Sequence, residues 1–144
     1  MIKQHKKTLI LTSVITLLPI FIGLLLWRQL PASVAIHFGV DNQPDGYCSK
    51  AFAVFGLPVM MLFFHFICIV ATNIDPKRKN ISKKVFHVVM WICPVISLVN
   101  CNILYVYNLG YKLNIGFVCG LFVGILYLIL GNFIPKVKPN YSIG

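Results

Sequence analysis

The chain has 144 residues, 58 % hydrophobic and only 11 % charged, with thirteen Lys and Arg against three acids and a formal net charge of +10. A soluble domain carries about a quarter charged residues, so water is excluded as the main solvent, in keeping with a mean hydropathy of +0.84. The basic residues flank apolar runs instead of interleaving with aromatics along a stripe, which argues against direct nucleic-acid binding and for anionic lipid and topogenic charge.

Four apolar runs qualify as membrane spans: residues 8–27, 51–72, 85–107 and 115–134. At 1.5 Å rise per residue, about twenty residues cover the roughly 30 Å hydrocarbon core. Backbone polar groups in lipid must be satisfied within the segment, and the ten-residue alternation of a barrel strand is missing. The expected fold is therefore all-α: one membrane domain over residues 1–144, a four-helix transmembrane bundle.

Before the first span stand Lys3, Lys6 and Lys7. Ser33-Val34-Ala35 loosely fits a signal-peptide cleavage site, but the apolar run exceeds a usual h-region and Leu30-Pro31 intervenes, so the span reads as retained. Pro19, and later Pro58 and Pro94, are expected to kink their helices.

The connection over residues 28–50 is far longer than a helix hairpin needs, which predicts a structured extracellular loop. Its tail from Asn42 to Tyr47 reads as a turn: Pro44 presets φ, Asp45 bonds its own backbone, and Gly46 takes φ > 0. Ser49 follows as the N-cap of the second span. His37, Asp41, Asp45 and Cys48 are metal-type ligands, yet their spacing fits no standard site and no metal is assigned. The loop is expected to cap the outer mouth of the bundle, with ligand contact as the functional alternative. The other cysteines, Cys68, Cys93, Cys101 and Cys119, lie in apolar runs without a C-x-x-C pair, so no disulfide framework is expected.

His65 lies about eight residues from the basic end of its span and His87 about three, a depth mismatch of roughly 7 Å that disfavours paired haem ligation. A neutral histidine hydrogen-bonded between helices is the expectation for both. The connection over residues 73–84 carries Lys77, Arg78, Lys79, Lys83 and Lys84. Asn80-Ile81-Ser82 and Asn140-Tyr141-Ser142 match glycosylation sequons but fall on the side that the charges place in the cytoplasm, and are read as chance. Asn100, Asn102 and Asn132 are expected to hydrogen-bond across helices. All three acids, Asp41, Asp45 and Asp75, sit in connections, against ion transport. No serine, histidine and acid set and no His-Glu-x-x-His pair is present, so no enzyme and no cofactor is expected. Gly116, Gly120 and Gly124 form a smooth strip for helix contact, within the monomer or across a homodimer.

Lys136 and Lys138 complete the charge count. The N-terminus, the second connection and the C-terminus hold ten Lys and Arg; the first and third connections hold three, Arg28, Lys50 and Lys112. Both termini are therefore expected in the cytoplasm.

Leu30-Pro31, His37-Phe38-Gly39, Gln43-Pro44-Asp45-Gly46-Tyr47 and Ser49-Lys50 together resemble the signature loop of the SdpI-like membrane proteins, the immunity family of the sporulation-delaying toxin. Gly131-Asn132, Pro135-Lys136, Lys138-Pro139-Asn140-Tyr141 and Gly144 are similar to the region after that family's fourth span. Family members usually continue into an Ile-Arg-Thr-Pro-Trp stretch, so this chain reads as a truncated member, a fragment or a shorter paralogue. The resemblance implies protection against a secreted peptide toxin and capture of a cytoplasmic repressor. It directs attention to His37, Phe38, Asp41, Pro44, Asp45, Gly46, Tyr47 and Lys50 for the toxin. For the repressor it points to Lys77, Arg78, Lys79, Lys83, Lys84, Asn132, Pro135, Lys138 and Asn140. The alternative function is a small-solute transporter or permease subunit.

Overall fold

The computed structural model describes residues 5–133 and 137–143. It is a mostly helical membrane bundle of α1 (Lys6–Leu25), α2 (Leu57–Ile74), α3 (Lys83–Asn108) and α4 (Ile115–Phe133). A π-helical turn, Phe52–Gly56, runs directly into α2. With that turn counted into α2, all four helices are long and apolar enough to cross a membrane. The ends of these helices lie within two residues of the expected span limits.

α1 packs on both α2 and α3 through one face, on which Thr12, Thr16, Pro19 and Gly23 are buried. These positions recur every three or four residues, the spacing that stacks side chains along one side of a helix. The polar members find partners across the bundle. Thr12 Oγ1 lies 3.1 Å from His65 Nε2 on α2. On α3, Ser97 Oγ donates to the Thr16 carbonyl at 2.8 Å and the Tyr105 hydroxyl donates to the Pro19 carbonyl at 3.1 Å. Such bonds contribute about 0.6 kcal/mol each in membranes. His65 thus bridges helices as expected, whereas Asn102 bonds back to the Leu98 carbonyl of its own helix instead of crossing.

Apolar clusters flank this polar waist. Ile69, Ile81, Val85, Phe86 and Met90 fill the basic end, while Leu30, Val54, Cys101 and Tyr105 fill the other. At the second cluster Gly23 admits a close approach: a Cβ there would lie 2.8 Å from Val54 and 2.9 Å from the Tyr105 hydroxyl. Pro19 and Pro94 are buried inside α1 and α3. Pro58 stands inside the continuous helical run, two residues after the π-helical turn, which locally shifts the hydrogen-bond ladder where the proline lacks an N–H.

The connection between α1 and α2 departs from a purely helical reading. It forms an antiparallel hairpin of β1 (Ser33–Phe38) and β2 (Pro44–Ser49). Residues 44–47 are strand, not turn, and the reversal lies at residues 39–43. There Gly39 N donates to the Gln43 carbonyl at 2.9 Å, and Asn42 takes the left-handed conformation with φ 63°. Pro44 opens the strand, a position that needs no N–H. Gly46 is needed for space and not for positive φ: it faces His37, whose Cβ would lie 2.7 Å from a Cβ at position 46. Register slips between Ala35 and His37 and between His37 and Phe38 leave Ile36 and Asp45 without direct cross-strand partners. Ser49 Oγ accepts from Phe52 N at 3.2 Å, the capping role expected of it.

α4 is the outlier, since only Ile115 is buried along its length. A Cβ at Gly120 or Gly124 would meet nothing within 4 Å, so this part of the glycine strip makes no close contact among the described residues. Gly23→Val is therefore expected to lower the thermal midpoint in detergent by overpacking, at a cost of about 1–3 kcal/mol. Gly120→Val, measured alongside, should leave the midpoint unchanged.

Candidate functional site

A two-stranded hairpin is marginal by itself, and here two asparagines fasten it. Asn108, the last residue of α3, accepts from Ala35 N at 2.9 Å and donates to the Ala35 carbonyl at 3.0 Å. Asn42, at the tip, accepts from Ile115 N at 2.7 Å and donates to the Leu113 carbonyl at 3.0 Å. That second amide satisfies an N–H of the first turn of α4 from outside the helix. Val34 and Ala35 are buried beneath the hairpin.

The expected contact residues separate into two groups. Phe38 stacks edge-on against Tyr107 with centroids 4.6 Å apart. Asp41 accepts from Gln43 N and holds the tip. Lys50 donates to the Trp27 carbonyl at 2.9 Å with its ammonium 5.4 Å from the Trp27 ring centre. Pro44 and Gly46 shape β2. These five build the hairpin. His37 and Asp45, paired at 2.5 Å and both largely exposed, face outward with Tyr47 and the fully exposed Val40. Cys48 and Asp41 do not join that pair in any group of three metal-type ligands among the described residues. Between the hairpin, α2, α3 and α4 lies a cavity of about 290 Å³, lined largely by apolar side chains including Ile36, Phe38, Met60 and Met61, with Asn100 among its polar groups.

At the basic end, the second group of expected residues is organised by one that sequence reasoning passed over. Asp75 precedes Pro76, and its extended ψ of 126° ends α2. Its carboxylate accepts from Lys77 N at 2.7 Å, Tyr141 N at 2.9 Å and the Ser142 hydroxyl at 2.6 Å. The Ser142 hydroxyl, aided by the backbone amides, holds the carboxyl below the usual aspartate range. Asn80 donates to the Pro139 carbonyl at 2.7 Å, and Val137 and Ile143 pack on the apolar cluster of α2 and α3. Residues 137–143 thus fold back onto the connection between α2 and α3. Asn140 closes a local turn by accepting from Ser142 N and Ile143 N. Lys77 places its ammonium 4.7 Å from the Tyr141 ring centre. Arg78 donates to the Asn73 carbonyl, whereas Lys79 and Lys138 are exposed. Lys83 and Lys84 open α3, and Asn132 lies in the last turn of α4. Pro135 falls outside the described residues.

The segment from within α1 through the hairpin into α2, residues 14–62, matches a family model described as a domain of unknown function, DUF1648. Over 142 residues, 96 % of this chain, the sequence is 27 % identical to the immunity protein SdpI of Bacillus subtilis (strain 168). The chain resembles the SdpI-like membrane proteins. The chain spans 65 % of that relative's length. No solved structure matches it. Of the two stretches that carry the resemblance, one forms the hairpin, and residues 137–143 of the other are the segment tied to Asp75.

Asn108→Ala strips both partners from the Ala35 backbone, at a cost of about 1–3 kcal/mol to hairpin docking. Limited proteolysis in detergent should then cut within residues 33–49 faster than in the unaltered protein. A lowered carboxyl pKa stabilises the folded form above the ordinary aspartate value and is lost as pH falls through the folded value. The Tyr141 and Ser142 amide resonances should accordingly keep their docked positions from neutral pH down to about 4. They should shift only in more acid solution, while Asp75→Asn should shift them already at pH 7.

Proposed function

We propose that this chain protects the cell that makes it from a secreted peptide toxin, acting as a binder and not as a catalyst. The observation that carries the reading is the likeness to an immunity protein along 96 % of the chain. The geometry supports it at one place. The hairpin offers His37, Asp45, Tyr47 and Val40 outward and a mostly apolar, methionine-bearing cavity beneath, a pairing that suits an amphipathic peptide. The ten-to-three division of basic residues supports an orientation with the hairpin outside and both termini in the cytoplasm.

A second reading concerns the opposite end. Asp75 joins the connection after α2 to residues 137–143, so that Lys77, Arg78, Lys79 and Lys138 belong to one surface. Such a surface is suited to hold an acidic face of a cytoplasmic repressor.

Expressed in toxin-sensitive cells beside a toxin-producing strain, the chain is expected to preserve viability where empty-vector cells die. His37→Ala combined with Tyr47→Ala should lower survival by about tenfold or more, since losing contacts worth about 1.4 kcal/mol weakens binding tenfold. Equal killing with and without the chain, at matched membrane expression, rejects the proposal.

A further inference from the structure

α4 is tied to the rest of the molecule near the hairpin, where Asn42 accepts from Ile115 N in its first turn, and along its length only Ile115 is buried. Between α3 and α4 there opens a cleft of about 590 Å³. Its walls are apolar, with Trp91 and Val95 from α3 and Leu126 and Leu130 from α4. At one end only, Lys83, Lys84, His87 and His5 close it. Away from that end the lining is apolar and offers water no partners, and hydrocarbon is what surrounds it.

The charge at its rim is uncompensated. Lys83 and Lys84 stand in the first turn of α3, where the helix dipole is already positive and no acid is present. The nearest acid in sequence, Asp75, has its oxygens committed to Ser142, Tyr141 and Lys77. Among the described residues the one ion pair, His37 with Asp45, lies on the hairpin. His5 Nε2 is buried on the cleft without a hydrogen-bond partner among the described residues.

We propose that this cleft seats one anionic phospholipid, its phosphate among Lys83, Lys84, His87 and His5 and an acyl chain between α3 and α4. The charge complementarity selects an anionic headgroup over a zwitterionic one. A second copy of the chain would place apolar side chains in the cleft but leave the two lysines without a counter-charge.

The test is native mass spectrometry of the delipidated full chain with phosphatidylglycerol and phosphatidylcholine of identical acyl chains. One bound phosphatidylglycerol, preferred about tenfold or more, is the expected result. Lys83→Gln with Lys84→Gln should remove the preference, and Leu130→Trp, which fills the apolar part, should weaken binding without altering charge. Lys79→Gln with Lys138→Gln, an equal charge loss away from the cleft, should retain it. Equal binding of the two lipids, equal loss in both charge variants, unaltered binding in Leu130→Trp, or lipid displaced by dimer formation would each overturn the proposal.

Discussion

Hydrocarbon offers no hydrogen bonds, so the hydroxyls on the buried face of α1 must be met from within the protein. Thr12 and Thr16 satisfy themselves in part through carbonyls of their own helix, Leu9 and Thr12. With the Thr12 proton turned to Leu9, the His65 imidazole donates from Nε2, leaving Nδ1 as an unpaired acceptor, which is less costly than an unpaired donor. Ser97 and Tyr105 bring α3 to the same face. The relative positions of α1, α2 and α3 follow from this narrow column of polar contacts, because the apolar clusters at either end are less directional. α4 has no part in the column, and its looseness is the structural counterpart of that omission.

What sits outside the membrane depends on where those helices stop. The hairpin has little core of its own, and its strands stay paired because α3 ends on an amide that completes the Ala35 backbone. Its tip then reaches across to α4. One loop therefore ties the tight three-helix part of the molecule to the loosely attached fourth helix.

The spans were legible because about twenty apolar residues between basic flanks have few other structures available. The pairing of His65 was legible for a related reason: a buried imidazole demands a partner. The hairpin was not, since Pro44-Asp45-Gly46 carries turn residues whose local preferences are overridden by the approach of Gly46 to His37 and the docking of Val34 and Ala35. Asn108 and Asn42 were passed over because their partners lie more than seventy residues away in sequence. Asp75 had a signal that was available, a lone acid amid the basic connection and just before a proline, but its partners in residues 137–143 are visible only in three dimensions.

The two asparagines that fasten the hairpin are uncharged. Amide-to-backbone bonds are not weakened by counterions over the roughly 8–10 Å range that governs exposed charges in physiological salt, and they have no proton to gain or lose near neutrality. The hairpin's attachment should therefore be indifferent to brine, dilution or mild acid, so that the residues displayed on it keep one pose.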